Sequence, residues 1–247
     1  MTLIRSQYNQ KYIRYFDSHT HETVHVTAPI SGYDDFLYDA SLVIPAASSA
    51  ESGAPWVKTI IGAAPPTVAY GADAKGGTAI CTLTSDSQKQ DALCAKDDHR
   101  ALILTQGLNI EFGVTLSVLP TSAAELCWGL IGDIGDGADA ATYSAFFTAD
   151  GSGEIFCEVD DNATDQSATS GVTVVNTAFT VCRIDFSDVT NILFYVNGAR
   201  VASGTTFAYA ATGANATLQP FFSAYKASGA GVGTLTVDYV RYWMNRS

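Results

Sequence analysis

From Asn109 to Leu119 the chain alternates with a period of two. Ile110, Phe112, Val114, Leu116 and Val118 fall on one side, and Asn109, Glu111, Thr115 and Ser117 on the other. Such alternation predicts a strand with one buried and one wetter face. Further strand-like runs follow at Glu125 to Gly132, Thr142 to Ala149, Gly153 to Val159, Gly171 to Val175 and Phe179 to Phe186, with Gly, Asp and Asn between them. Many strands at short spacing predict an antiparallel sandwich or barrel. Asn197-Gly198 separates Ile192–Val196 from Ala199–Val201, and both residues tolerate positive φ, so a two-residue type I′ hairpin is expected there. In the last run, Gly233 to Trp243, Leu235, Val237, Tyr239, Arg241 and Trp243 alternate with Thr234, Thr236, Asp238, Val240 and Tyr242. Bulk on both sides predicts a strand covered by protein on both faces.

The earlier part reads differently. Residues 31–77 are loop-rich, punctuated by Pro45, Pro55, Pro65 and Pro66, with one candidate strand from Trp56 to Ile61. Residues 1–30 sustain neither a strand nor a helix period for long, yet are dense in aromatics. We read them as an extended N-terminal arm that packs on a neighbouring subunit through Tyr8, Tyr12, Arg14, Tyr15 and Phe16, since aromatics and Arg favour interfaces. The alternative is an edge strand of the domain formed by residues 31–247.

Composition narrows the partners. The 247 residues carry a formal charge of −12, so the net field repels phosphate backbones and no nucleic acid partner is expected. No run is long and apolar enough to span a bilayer, and Met1–Tyr8 has no apolar signal core, so no membrane or secretory route is expected. The five cysteines are odd in number, form no Cys-x-x-Cys pair and mostly lie in apolar runs, which predicts buried free thiols made in a reducing host cytoplasm.

The segments Phe194-Tyr195-Val196-Asn197-Gly198 and Val237-Asp238-Tyr239-Val240-Arg241-Tyr242-Trp243 resemble late strands of the concanavalin A-like lectin and glucanase superfamily. A broader resemblance runs from Tyr33-Asp34-Asp35-Phe36 through Glu111-Phe112-Gly113-Val114 to Val237-Asp238-Tyr239. It is similar to the sandwich proteins that tailed phages encode with their capsid genes. The resemblance implies an all-β, concanavalin A-like jelly-roll sandwich behind the arm, serving as a capsid decoration or cement protein on the virion surface. Its partners would then be the major capsid protein and copies of itself, most simply as a trimer, with a tail- or fibre-associated glycan-binding sandwich as the alternative.

Catalytic patterns are incomplete in the sequence, and the chain is expected not to be an enzyme and to need no cofactor. Glu158-Val159-Asp160 begins the Glu-x-Asp-x-x-Glu strand of glucanases, but the third carboxylate is replaced by Ala163. Asp17-Ser18-His19-Thr20-His21 resembles an amidohydrolase metal motif without the later ligands or the βα alternation of a barrel. Gly132–Asp139 and Asp160–Asp165 group oxygen ligands as calcium loops do, though without EF-hand spacing, and read more simply as turns. The Gly-rich stretch 227–233 is expected to be a flexible hairpin connection, and Trp128 and Trp243 to pack in the core.

Overall fold

The computed structural model describes residues 4–9, 12–17, 30–38, 42–46, 55–71, 77–96, 99–133, 137–151 and 153–245. Two antiparallel sheets face each other, and no α-helix occurs among the described residues. The first sheet contains, in spatial order, β13 (Asp165–Thr173), β12 (Glu154–Asp160), β11 (Ser144–Ala149), β10 (Ala124–Ile131), β17 (Thr217–Lys226), β7 (Gln90–Ala95) and β4 (Val57–Ile61), with β8 (Leu102–Ile103) on the far end of β17. The second runs β16 (Ala199–Val201), β15 (Leu193–Val196), β14 (Phe179–Asp185), β9 (Asn109–Val118), β18 (Gly233–Met244), β6 (Ala79–Leu83) and β5 (Thr67–Tyr70), with β3 (Ile30–Asp34) also on β18. Within the segment read as an arm, β1 (Ile4–Asn9) and β2 (Tyr12–Asp17) pair with each other, and among the described residues with neither large sheet.

Alternation places the core. Ile110, Phe112, Val114 and Leu116 of β9 are fully buried, as are Trp128, Phe147, Phe194 and Phe222 from neighbouring strands. Aromatic edges hold the two layers together: Phe147 meets Phe194 edge-on at 5.2 Å between ring centres, and Phe194 meets Phe207 at 4.9 Å. The five cysteines are all buried free thiols. Asn197 and Gly198 both have positive φ, 49° and 79°, and Val196 pairs with Ala199 across them, the two-residue hairpin the sequence predicts.

Two expectations are corrected. The last strand does not keep one phase. The register slips between Val237 and Tyr239, so Asp238 is an extra residue, a β-bulge. Leu235 and Val237 therefore point into the core, whereas Tyr239, Arg241 and Trp243 stand opposite Gly113, Glu111 and Asn109 on the outer face. Bulk on both sides comes from this change of phase, and Trp243 is not a core residue. The stretch 227–233, expected as a hairpin connection, instead carries the chain from β17 in the first sheet to β18 in the second.

That crossing is locked by a buried cation. Lys226 is fully buried at the end of β17, and its Nζ donates to the carbonyls of Thr84 (2.6 Å), Asp86 (2.7 Å) and Gly231 (2.9 Å). Thr84 and Asp86 lie in the other crossing, between β6 and β7, so one ammonium ties both arches where the chain changes sheet. A buried charge is tolerated when its donors are all satisfied, as these three are.

Candidate functional site

Part of the outer face of the first sheet is covered. Leu93, Ala95, Cys127, Ile131, Phe146 and Phe221 form a second, smaller apolar cluster there, roofed by Ala138 and Ala141 from the loop between β10 and β11. Gly137 N donates to Asp91 Oδ2 at 3.1 Å, and a Cβ at position 137 would press on the Tyr225 ring at 3.1 Å. This loop, read in the sequence as a turn, thus lays Ala138 and Ala141 over apolar side chains.

Beside the lid the face is open. A cleft of about 270 Å³ is lined by Glu125 of β10, Asp139 of the lid, Phe146 and Thr148 of β11, Asp150 just after it, Phe156 and Glu158 of β12, and Ser167 of β13. Alternation aims these groups outward: Ile155, Cys157 and Val159 point into the core, so Phe156 and Glu158 point away from it. Phe156 stands opposite Thr148, and Glu158 opposite Phe146.

Burial pushes the Glu158 carboxyl up to about 8, with Asp139, Glu125 and Asp165 adding like-charge repulsion. Glu125 is raised too, by burial first and then by Asp139 and Asp150. Near neutral pH Glu158 is therefore a proton-bearing carboxylic acid in a cleft of ionisable neighbours. Such an acid can hydrogen-bond to, or protonate, an oxygen of a bound molecule.

A second cavity, of about 400 Å³, lies beside the entry segment, with Tyr33, Asp34, Tyr38, Trp56, Lys96 and Tyr242 among its walls. Asp34 organises it: Oδ2 accepts from Trp56 Nε1 (2.7 Å) and Tyr38 Oη (3.2 Å), and Oδ1 from Phe36 N (2.9 Å). Phe36 is held at φ 52° and plugs the core against Trp56, Tyr70 and Phe222. The Tyr33-Asp34-Asp35-Phe36 motif thus clamps the loop-rich segment onto the sandwich. Lys96 Nζ sits 3.8 Å from the centre of the Trp56 ring, and burial lowers its pKa to about 8.

With the geometry in view, the chain can be set beside known proteins. No family model matches it, and no curated protein does. Among solved structures it is similar to a protein of unknown function from Shewanella oneidensis MR-1 (11% identity, TM-score 0.59, covering 88% of this chain and 87% of that one). It is also similar to a β-1,3-glucanase from Mycobacterium marinum (15%, 0.54, 86% and 97%) and a Bacteroides ovatus mixed linkage glucan GH16 structure in complex with product (12%, 0.52, 85% and 98%). The fold is a concanavalin A-like sandwich. The same neighbours overturn the expectation that the chain is not an enzyme, because glucanases are among the proteins built on this architecture. Its physical basis fails as well. The glucanase pattern lies along one strand, whereas here Glu125, Asp139, Asp150 and Glu158 come together from two strands, a lid and a turn.

The remaining sequence candidates separate. Tyr8, Tyr12, Arg14, Tyr15 and Phe16 lie on the β1–β2 hairpin, and their side-chain contacts fall outside the described residues, as do His19, His21 and His25. Asp160–Asp165 is a hydrogen-bonded turn: Asp160 Oδ1 accepts from Asn162 N, Asp161 Oδ1 from Ala163 and Thr164 N, and Asp161 Oδ2 from Ala210 N at 2.9 Å. Ala163 thus belongs to a turn rather than to the strand. The Glu158 cleft was missed in the sequence; the one available signal was alternation along Glu154–Asp160, which puts Glu158 and Asp160 on the polar side.

Proposed function

We propose that this protein is a structural component of a tailed-phage particle, a sandwich that docks on the capsid shell. The observation that carries the reading is a run of exposed apolar side chains in the entry segment. Leu37, Leu42 and Val43 are 66%, 53% and 74% exposed, on the stretch that follows the arm. Apolar groups left in water beside an aromatic arm suit burial against a neighbour. The resemblance of Tyr33–Phe36, Glu111–Val114 and Val237–Tyr239 to capsid-associated phage sandwiches supports the same reading. The partners are the major capsid protein and further copies of this chain, with a trimer as the simplest closed assembly. Imaging intact particles with a label fused after residue 247 tests it: label on the head supports the reading, and label confined to the tail or absent from the particle overturns it.

A second reading is favoured by Glu158. A protonated acid beside ionisable carboxylates and two aromatic rings is an arrangement suited to a glycan, with Glu158 as proton donor to a glycosidic oxygen and Glu125 as the companion carboxylate. Purified protein incubated with laminarin and mixed-linkage glucan should then release reducing ends, and Glu158→Gln should abolish the release while the melting curve stays cooperative. No turnover by the wild type on either glucan, or equal turnover by the variant, removes this reading.

A further inference from the structure

Between Ala101 and Asn245 this acidic chain has four basic residues: Arg183, Arg200, Lys226 and Arg241. Lys226 is spent on the arches. The other three stand in one line across the outer face of the second sheet. Arg200 pairs with Tyr195, Tyr195 with Arg183, Arg183 with Glu111, Glu111 with Arg241, and Arg241 with Tyr33. Cross-strand partners share a face, and the flanking Cys182, Ile184, Phe194, Val196 and Val201 are buried inward, so the row points out.

The single acid in the row is already engaged. Glu111 Oε1 accepts from Arg241 Nη2 and from Tyr239 Oη, both at 2.7 Å. Arg183, its other neighbour, makes no ion pair among the described residues. Its guanidinium lies over the Tyr195 ring at 4.2 Å, and its Nε is buried with no acceptor. Arg183 lines a cleft of about 380 Å³ with Glu111, Val181, Tyr195, Asn197 and Gly198. Asn197 Oδ1 accepts from Val181 N at 2.9 Å, which leaves Nδ2 as the side chain's donor end.

Aromatic rings border the row. Gly113 gives them room, since a Cβ there would lie 2.5 Å from Tyr239 Cε1 and 2.8 Å from Phe179 Cζ. Tyr239 sits 5.9 Å from Tyr33 and 6.4 Å from Phe179 between ring centres, and Tyr33 and Phe179 are 62% and 51% exposed. Alternate members of the row are two strands apart, so its cations recur at about 10 Å.

We propose that this row binds an extended acidic glycan, its carboxylates on Arg183 and Arg200 and its sugar faces on the exposed rings of Tyr33 and Phe179. Guanidinium forks match carboxylates, and aromatic faces suit sugar rings. Sparse cations on a molecule of charge −12 fit a chain whose charges are spaced by neutral sugars better than the dense phosphates of a nucleic acid. This site lies on the opposite sheet from the Glu158 cleft and stands whether or not that cleft is active.

Calorimetry with hyaluronan oligosaccharides, in which a carboxylate recurs on every second sugar, tests the proposal, with dextran and single-stranded DNA as comparison ligands. Hyaluronan should bind with an affinity that falls as salt rises, dextran should not, and Arg183→Gln should weaken binding at least about tenfold, the loss of one charge-assisted contact. Arg200→Gln, at an exposed hairpin end where folding is unaffected, should weaken it by a smaller factor. Absence of hyaluronan binding at low salt, DNA binding as tight as hyaluronan, or unchanged affinity in both variants overturns it.

Discussion

Glu158 shows how a residue acquires chemistry from its place rather than from its neighbours in sequence. Read along the strand, it begins a pattern that fails at Ala163; in the fold, burial and three nearby carboxylates keep it protonated to about pH 8. The consequence for stability has a definite sign. A carboxyl whose pKa is higher folded than unfolded favours the folded state below the unfolded value near 4.5, and that contribution is lost as pH rises through about 8. The wild type should therefore lose melting temperature between pH 5 and pH 9 more steeply than Glu158→Gln, which holds the neutral form at every pH. Parallel melting curves for the two across that range would show that the cleft leaves this acid in water.

At the scale of elements, strands with an alternating or unbroken apolar signal are legible, β10 and β11 included although both are buried on both faces, and strands broken by polar or turn-like residues are not. β9 was read nearly to its ends because Ile110, Phe112, Val114 and Leu116 alternate with polar residues. β17 went unread. Its residues from Leu218 to Ala224 are buried on both faces, by the main core and by the lidded cluster, so polar Gln219 and Ser223 and the turn-like Pro220 obscured it. The apolar signal of β13 begins only near Gly171, because Asp165–Ser170 is a polar edge strand. In β18 one bulged residue, Asp238, reversed the outward set, and no spacing rule announces a bulge. Neither candidate site could be read from spacing, since each is assembled across strands. The arches depend most on Lys226. Lys226→Met should lower unfolding free energy by about 2 kcal/mol, because the carbonyls of Thr84, Asp86 and Gly231, the last of them buried, lose their donor while the methionine keeps the volume. Urea denaturation measures this, and a change within 0.5 kcal/mol would mean that water replaces the ammonium.

For the whole molecule, the two outer faces are chemically opposite. The first sheet presents Glu125, Asp150 and Glu158 beside its lid; the second presents Arg183, Arg200 and Arg241 among aromatics. A sandwich with distinct faces and an apolar entry segment can sit on a shell through one region and leave another toward the medium. The proposed docking to the shell would link the two stabilities, because a protein that binds only the assembled capsid raises the work needed to open it. The most direct measurement is the temperature at which particles release DNA, compared for phage with and without this protein and set beside their adsorption to host cells. The account predicts release at lower temperature without the protein and adsorption unchanged; unaltered heat stability together with lost adsorption would contradict it.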